Sequence, residues 1–406
     1  MRGYDGGLTV GERVAWYRRQ RGLSQEVLAG LVGRTTDWLS KVENGRAALY
    51  RLSVISQLAE ALDVSLGDLI GDPQLMEWAA DTRHQTIPAL RKALLSYAAL
   101  LPVSGAREDA PADLMTLSRD VADLWDAYQA SRFGYVTARL PRVLHAARAA
   151  VDATAGRDRA IASAQLAMTY QVAASTLTKV GETELAWICA DRGLMAAERS
   201  EDLTIVGSLL RSVAHALLSN AQYADALAVI DSGLTRLQPT AGGATPPRLS
   251  MIGSLLLVAA MAAARTDDRR EARARLALVE QHASRIGADT NHLWSAFGPT
   301  NVAVHRVSVA MEVGDVQIAA DLGPRVDTRA LPVERRVRHS LEVARAFTAL
   351  NRPDEALGIL LSAEQDAPEQ VRYHFLSREL VLSWIRGGRL QASGELRHLA
   401  ERLRVA

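Results

Sequence analysis

Apolar residues recur at three- and four-residue spacing along almost the whole chain. Ala, Leu and Arg dominate, and no sustained alternation of β-branched residues interrupts them. The pattern predicts an all-α protein. In the first seventy residues it predicts five helices: Val10 to Gln20, Gln25 to Val32, Thr35 or Thr36 to Glu43, Leu52 to Leu62 and Ser65 to Ile70. Gly22 breaks the first, Ser24 caps the second, Gly33 makes the next turn, and Asn44-Gly45 closes the third.

Beyond this head the breaks come at wider intervals. Asp72-Pro73 ends the first domain, Pro102 to Pro111 reads as a loop, and Pro239 to Pro247 reads as the longest flexible connection. Pro324, Pro332, Pro353 and Pro368 punctuate what reads as a run of short helices. Five breaks share one form, a small or polar turn followed by Ala. They run from Gly181 to Ala186, Asn220 to Ala226, Asp267 to Ala272, Gly314 to Ala319 and Asn351 to Ala356. Their starts lie 39, 47, 47 and 37 residues apart, room for two helices each, with the Ala letting the second helix lie close on the first. This resembles the tetratricopeptide family, though with longer repeats than the roughly 34 residues usual there. The resemblance implies stacked helix pairs with a concave binding face. A non-repetitive bundle is the alternative.

Composition narrows the function classes. The net charge of the 406-residue chain is only +1, but Met1 to Arg51 carries nine basic residues against five acidic ones. Glu60, Asp63, Asp68 and Asp72 then restore neutrality, so positive charge gathers where a DNA-facing surface would lie. Cys189 is the single cysteine, which rules out an intrachain disulfide and a thiolate metal cluster and fits a cytoplasmic protein. The longest apolar run, Met251 to Ala264, falls about six residues short of a bilayer span and reads as a buried helix. No phosphate-binding Gly-rich loop, nucleophile elbow or His/Cys set at metal spacing occurs. The sequence therefore predicts no catalytic residues, no metal and no cofactor.

The head offers a specific surface. Leu39 and Val42 anchor the third helix, which leaves Thr36, Asp37, Ser40 and Lys41 on one outward strip. Lys41 suits guanine O6/N7, Thr36 a polar edge or a thymine methyl, and Asp37 the amino group of cytosine. Gly22-Leu-Ser-Gln-Glu-Val-Leu-Ala29, Val32-Gly33, Leu39-Ser-Lys-Val-Glu-Asn-Gly45 and Leu58-Ala-Glu-Ala-Leu62-Asp-Val-Ser65 together resemble the XRE family, the phage-repressor type of helix-turn-helix. The resemblance runs from about Leu8 to Asp72, although Tyr50 stands where relatives carry proline. It implies that the third helix enters the major groove and that Gln25, Thr35, Asn44 and Arg46 hold phosphates. It also implies a pairing of Arg18 with Glu43.

Residues 1–72 are thus expected to be a five-helix DNA-binding head, 73–112 a linker with a connecting helix, and 113–406 a tetratricopeptide-like α-solenoid for sensing and dimerisation. The layout resembles quorum-sensing regulators that join a helix-turn-helix to such repeats and bind short peptides. The expected partners are a double-stranded DNA operator, a second copy of the chain and a peptide or small-molecule effector, with no membrane. In the solenoid, Asn301, His305, Ser308 and Glu312 form a polar stripe at spacings of four, three and four. Arg338, Glu342 and Arg345 follow at comparable spacing, then Tyr373 and His374. These are the candidate effector contacts; a hydrogen-bonded network between repeats is the alternative. Trp187 and Trp294 read as packing residues. A second reading of the whole chain is a protein-interaction module whose repeats clasp a partner while the head localises it on DNA.

Overall fold

The computed structural model describes residues 8–47, 49, 51–71, 86–95, 113–238, 244–388 and 394–405. Among these there is helix and no strand. Asp72-Pro73, Pro102 to Pro111, Tyr50 and residues 239–243 of the expected flexible connection lie outside the described residues. They group into two compact units. One comprises Met1–Pro73, Ala260–Leu276 and Thr300–Ala406; the other comprises Gln74–Ala259 and Ala277–Pro299. The head and the last repeats therefore fall in a single unit.

The head consists of α1 (Val10–Gln20), α2 (Gln25–Leu31), α3 (Thr36–Glu43), α4 (Leu52–Ala61) and α5 (Leu66–Ile70). Local chemistry sets these limits. Thr9 and Glu12 form a capping box on α1, and Ser24, Thr35 and Ser65 each cap the helix that follows. Leu28, Leu39, Ile55, Leu58 and Leu69 are sealed in one core with Val10, Val14 and Val42. Each such side chain contributes roughly 1.5–3 kcal/mol by leaving water. Gly11 is the point of closest approach of α1 to α3: a β-carbon there would lie 2.1 Å from the Val42 carbonyl oxygen. Arg13 donates to the Leu69 and Ile70 carbonyls, tying α1 to the end of α5.

The helices that follow pair up: α6 (Thr86–Leu95) precedes α7 (Leu114–Gln129) with α8 (Phe133–Ala153), and α9 (Gly156–Lys179) with α10 (Thr183–Glu198). Then come α11 (Leu203–Ser219) with α12 (Tyr223–Arg236), α13 (Pro246–Arg265) with α14 (Arg269–Ile286), α15 (Pro299–Glu312) with α16 (Val316–Leu322), and α17 (Val333–Ala349) with α18 (Pro353–Asp366). Finally α19 (Pro368–Tyr373), α20 (Phe375–Arg386) and α21 (Gly394–Leu403) close the chain. The fold is all-α, a helix-turn-helix head followed by helical repeats.

Six pairs turn in the same way. Ser131, Gly181, Ala221, Asp267, Gly314 and Asn351 each take a left-handed backbone at the turn. In every case the next residue donates its N–H to the carbonyl five positions back, at 2.8–3.0 Å: Arg132 to Ala127, Glu182 to Leu177, Gln222 to Leu217, Asp268 to Ala263, Asp315 to Ala310 and Arg352 to Phe347. The five expected turns are these turns, and Ala186, Ala226, Ala272, Ala319 and Ala356 are all buried. The pair turning at Ser131 was not expected, because Val136 stands where the other five turns carry the Ala.

Three expectations need correction. Short helices are only part of the picture after Pro324: α16 and α19 have 7 and 6 residues, but α17, capped by Pro332, has 17 and α18, begun by Pro353, has 14. The apolar run Met251 to Ala264 is the middle of the 20-residue α13, the one helix among the described residues long and apolar enough to cross a membrane, and 83% of its apolar window is buried. Trp187 is exposed, not packed. Cys189 is fully buried, and burial pushes its thiol up to about 12.

Candidate functional site

The third helix presents the strip that its spacing predicts. Leu39, Val42 and Glu43 point inward, while Thr36, Asp37 and Lys41 are exposed and Ser40 is half-buried. Lys41 Nζ donates to Asp37 Oδ2 at 2.6 Å, one helical turn away. Asp37 thus has a cation beside it before any ligand arrives. The Thr35 hydroxyl accepts from the Trp38 N–H at 3.2 Å and fixes where the helix starts.

The expected phosphate contacts divide. Thr35 and Arg46 stand exposed at the two ends of α3. Asn44 is exposed as well, but its Nδ2 turns back to the Ser40 carbonyl at 2.7 Å, capping the end of the helix. Gln25 is half-buried and spends its Nε2 on Glu43 Oε2 at 2.7 Å. That same carboxylate takes the Arg18 guanidinium, so Gln25 stands with the pair joining α1 to α3. Burial pushes the Glu43 carboxyl up. The hydrogen bonds from Arg18 and Gln25 and the charges of Arg18 and Arg19 outweigh it and hold the group below its ordinary range. Sequence reasoning missed Arg34, whose guanidinium lies over the Trp38 ring at 5.6 Å from its centroid, an exposed cation at the mouth of the strip. Its place just before the helix cap was the available signal.

The second candidate lies in the repeats of the same unit. Glu312 of α15, Glu342 and Arg345 of α17 are buried and joined: Arg345 Nη1 donates to Glu312 Oε1 at 3.2 Å and to Glu342 Oε2 at 2.8 Å. Arg338 continues the chain to Glu342 at 3.4 Å and to His374 Nε2 at 3.2 Å. Burial pushes the Glu342 carboxyl up, and Arg345, Arg338 and Arg265 together pull it below its ordinary range. Farther along α15, His305 Nδ1 sits 2.9 Å from the Asn301 carbonyl, and Ser308 donates to the Val304 carbonyl at 3.3 Å. The expected residues are thus only partly united. Glu312, Arg338, Glu342 and His374 are linked through Arg345. Asn301, His305 and Ser308 bond within α15, and half-buried Tyr373 stands at the end of α19, next to His374. Asn301 Oδ1, Glu312 Oε2 and Arg345 Nε and Nη2 are buried with no protein partner.

Residues 9–70 match the family model of a helix-turn-helix domain. The head is a DNA-binding helix-turn-helix domain. No curated protein matches the chain. Solved structures similar to it include BtubC (BKLC) from P. vanneervenii, at 14% identity over 58% of this chain and 93% of that one, with a TM-score of 0.38. Another is PlcR of Bacillus thuringiensis in complex with the peptide PapR7 and DNA, at 10% identity over 86% of this chain and 98% of that one, with a TM-score of 0.32.

Proposed function

We propose that the chain is a sequence-specific transcription regulator that acts as a homodimer on a double-stranded operator, with 1–72 as head, 73–112 as connection and 113–406 as effector-responsive repeats. The observation that carries the reading is the exposed strip Thr36–Asp37–Lys41 on a helix whose opposite face is locked by Leu39, Val42 and the Arg18–Glu43 pair. Thr36, Asp37, Ser40 and Lys41 read bases; Thr35, Asn44, Arg46 and Arg34 hold the backbone, and Gln25 orients the helix through Glu43. Phosphate contacts make binding fall steeply with salt.

The linked charges Glu312–Arg345–Glu342–Arg338–His374 support a polar effector, since their unsatisfied buried atoms provide both donors and acceptors. Selection of bound DNA from a random pool by the full chain tests the reading. The expected product is an inverted repeat with half-sites about 34–36 Å apart, one helical turn. A pool that comes through with no enriched sequence would overturn it.

A further inference from the structure

Between α14 and α15 the chain does not turn tightly. Residues 288–298 run instead across to α7 and α13, the first helices of the first and fourth pairs. At one end Trp294 stacks on Trp125 of α7, with centroids 5.5 Å apart and planes inclined by 14°, and its Nε1 donates to Asp126 Oδ1 at 3.0 Å. Gln129 of α7 and Asn291 exchange amide hydrogen bonds at 3.1 and 2.8 Å, and Gln129 Nε2 also donates to the Trp294 carbonyl at 3.2 Å. At the other end Phe297 is fully buried against Gly253 of α13; a β-carbon at Gly253 would lie 1.9 Å from the ring. Ser250 of α13 meets Thr290 at 3.2 Å.

First-of-pair helices line the inside of stacked helix pairs, the face that such repeats offer to ligands. Here the first helices of two pairs hold side chains from the protein's own loop: Trp294 on Trp125 of α7 and, three residues on, Phe297 in the notch at Gly253 of α13. The loop adopts this posture under strain. Leu293, Trp294 and Ala296 all have left-handed backbones, unfavourable for residues with a β-carbon. Ser254, next to Gly253 in α13, and Ser295 of the loop have buried hydroxyls with no protein partner.

The geometry points to residues 288–298 as a resident competitor, seated where a short peptide with two aromatic side chains three residues apart would dock. A free peptide with those side chains presents the same contacts without the loop's imposed backbone. It would also bring amide groups that Ser254 can meet. The inference rests on the reading that the repeats take an effector and names that effector's class and its rival.

The test uses the full chain with residues 289–297 replaced by a Gly/Ser linker of equal length. The probe is a fluorescein-labelled synthetic peptide of residues 289–299. Fluorescence anisotropy should show saturable binding to the replaced chain and at least a tenfold weaker response from the natural chain. Adding Gly253→Ala to the replaced chain, which favours helix and fills the notch, should abolish binding, as should Phe297→Ala in the probe. Indifference of a replaced chain with native helical circular dichroism, or equal binding by the natural chain, would overturn the inference. Should the replacement fail to fold, the full chain carrying Trp294→Ala and Phe297→Ala takes its place under the same two criteria. Binding of the probe with no change in operator affinity would support the competitor and sink the effector reading separately.

Discussion

Arg18 grips Glu43 through two parallel hydrogen bonds, Nε to Oε1 at 2.5 Å and Nη2 to Oε2 at 2.8 Å. Both side chains are buried, so the pair fixes α3 against α1 with fork geometry that a lysine cannot reproduce. Removing one partner leaves the other charge stranded. Arg18→Ala should therefore destabilise the head by about 3–5 kcal/mol. Hydrogen exchange of α1 to α3 in the full chain, read by mass spectrometry, should show protection collapsing there first. The Glu43 carboxyl is held below its ordinary value of 4.5, so its contribution is complete above that value and is lost as pH falls through the lower folded value. The head should loosen in acid, and Arg18→Ala should blunt that response.

Lys41 and Arg46 should fail in different ways. Lys41→Ala should cost about 1–3 kcal/mol on the preferred operator and relax the preference at one base pair. Arg46→Ala should weaken all duplexes alike and reduce the slope of log affinity against log salt by about 1. Titrations of both variants against preferred and scrambled duplexes at several salt concentrations separate the two. Unchanged discrimination in Lys41→Ala would remove it from the reading strip.

Two glycines in the head predict opposite outcomes for one substitution. A β-carbon at Gly30 meets nothing within 4 Å, and the residue is helical, so Gly30→Ala should stabilise by about 1 kcal/mol. At Gly11 the added carbon collides with the Val42 backbone, and Gly11→Ala should destabilise by about 1–3 kcal/mol or more. Urea denaturation midpoints decide both.

Glu379 of α20 accepts the Val10 N–H at 3.1 Å, where the head meets the last repeats. Burial pushes its carboxyl up to about 7, against the Val10 N–H and the charges of Arg13 and Arg386, with Glu12 adding to the rise. Arg386 also pairs with Glu12 at 2.8 Å. A carboxyl raised in the fold contributes fully below its ordinary value of 4.5 and loses that contribution as pH climbs through about 7. The urea midpoint of the natural chain should fall from pH 5 to pH 8, and Glu379→Gln should flatten the trend. Parallel curves would show that this carboxyl is not responsible.

The head was legible because its signals are local. Caps, turn glycines and apolar spacing act within a few residues, and the five helices lie within a residue of their expected limits. Thr9-Val-Gly-Glu12 even carries a capping box that was there to be read. The repeat turns were legible where a small or polar turn is followed five residues on by Ala, and the turn at Ser131 was missed because Val136 stands in that place. Long-range partners left no mark. Nothing near Glu379 announces Val10, 369 residues away, and Trp294 gives no hint of Trp125. The bond from Gln25 to Glu43, 18 residues on, likewise left no mark beside the phosphate contact that the resemblance implies for Gln25.

The sealed sulfur of Cys189 has a practical side. A thiol that is fully buried and ionises only near 12 stays silent toward maleimides and mild oxidants at neutral pH. The natural chain is therefore a clean background for surface dyes. A cysteine placed on the head and another on the last repeats would carry a fluorophore pair without first editing the sequence, and the separation between them could be followed as ligands are added.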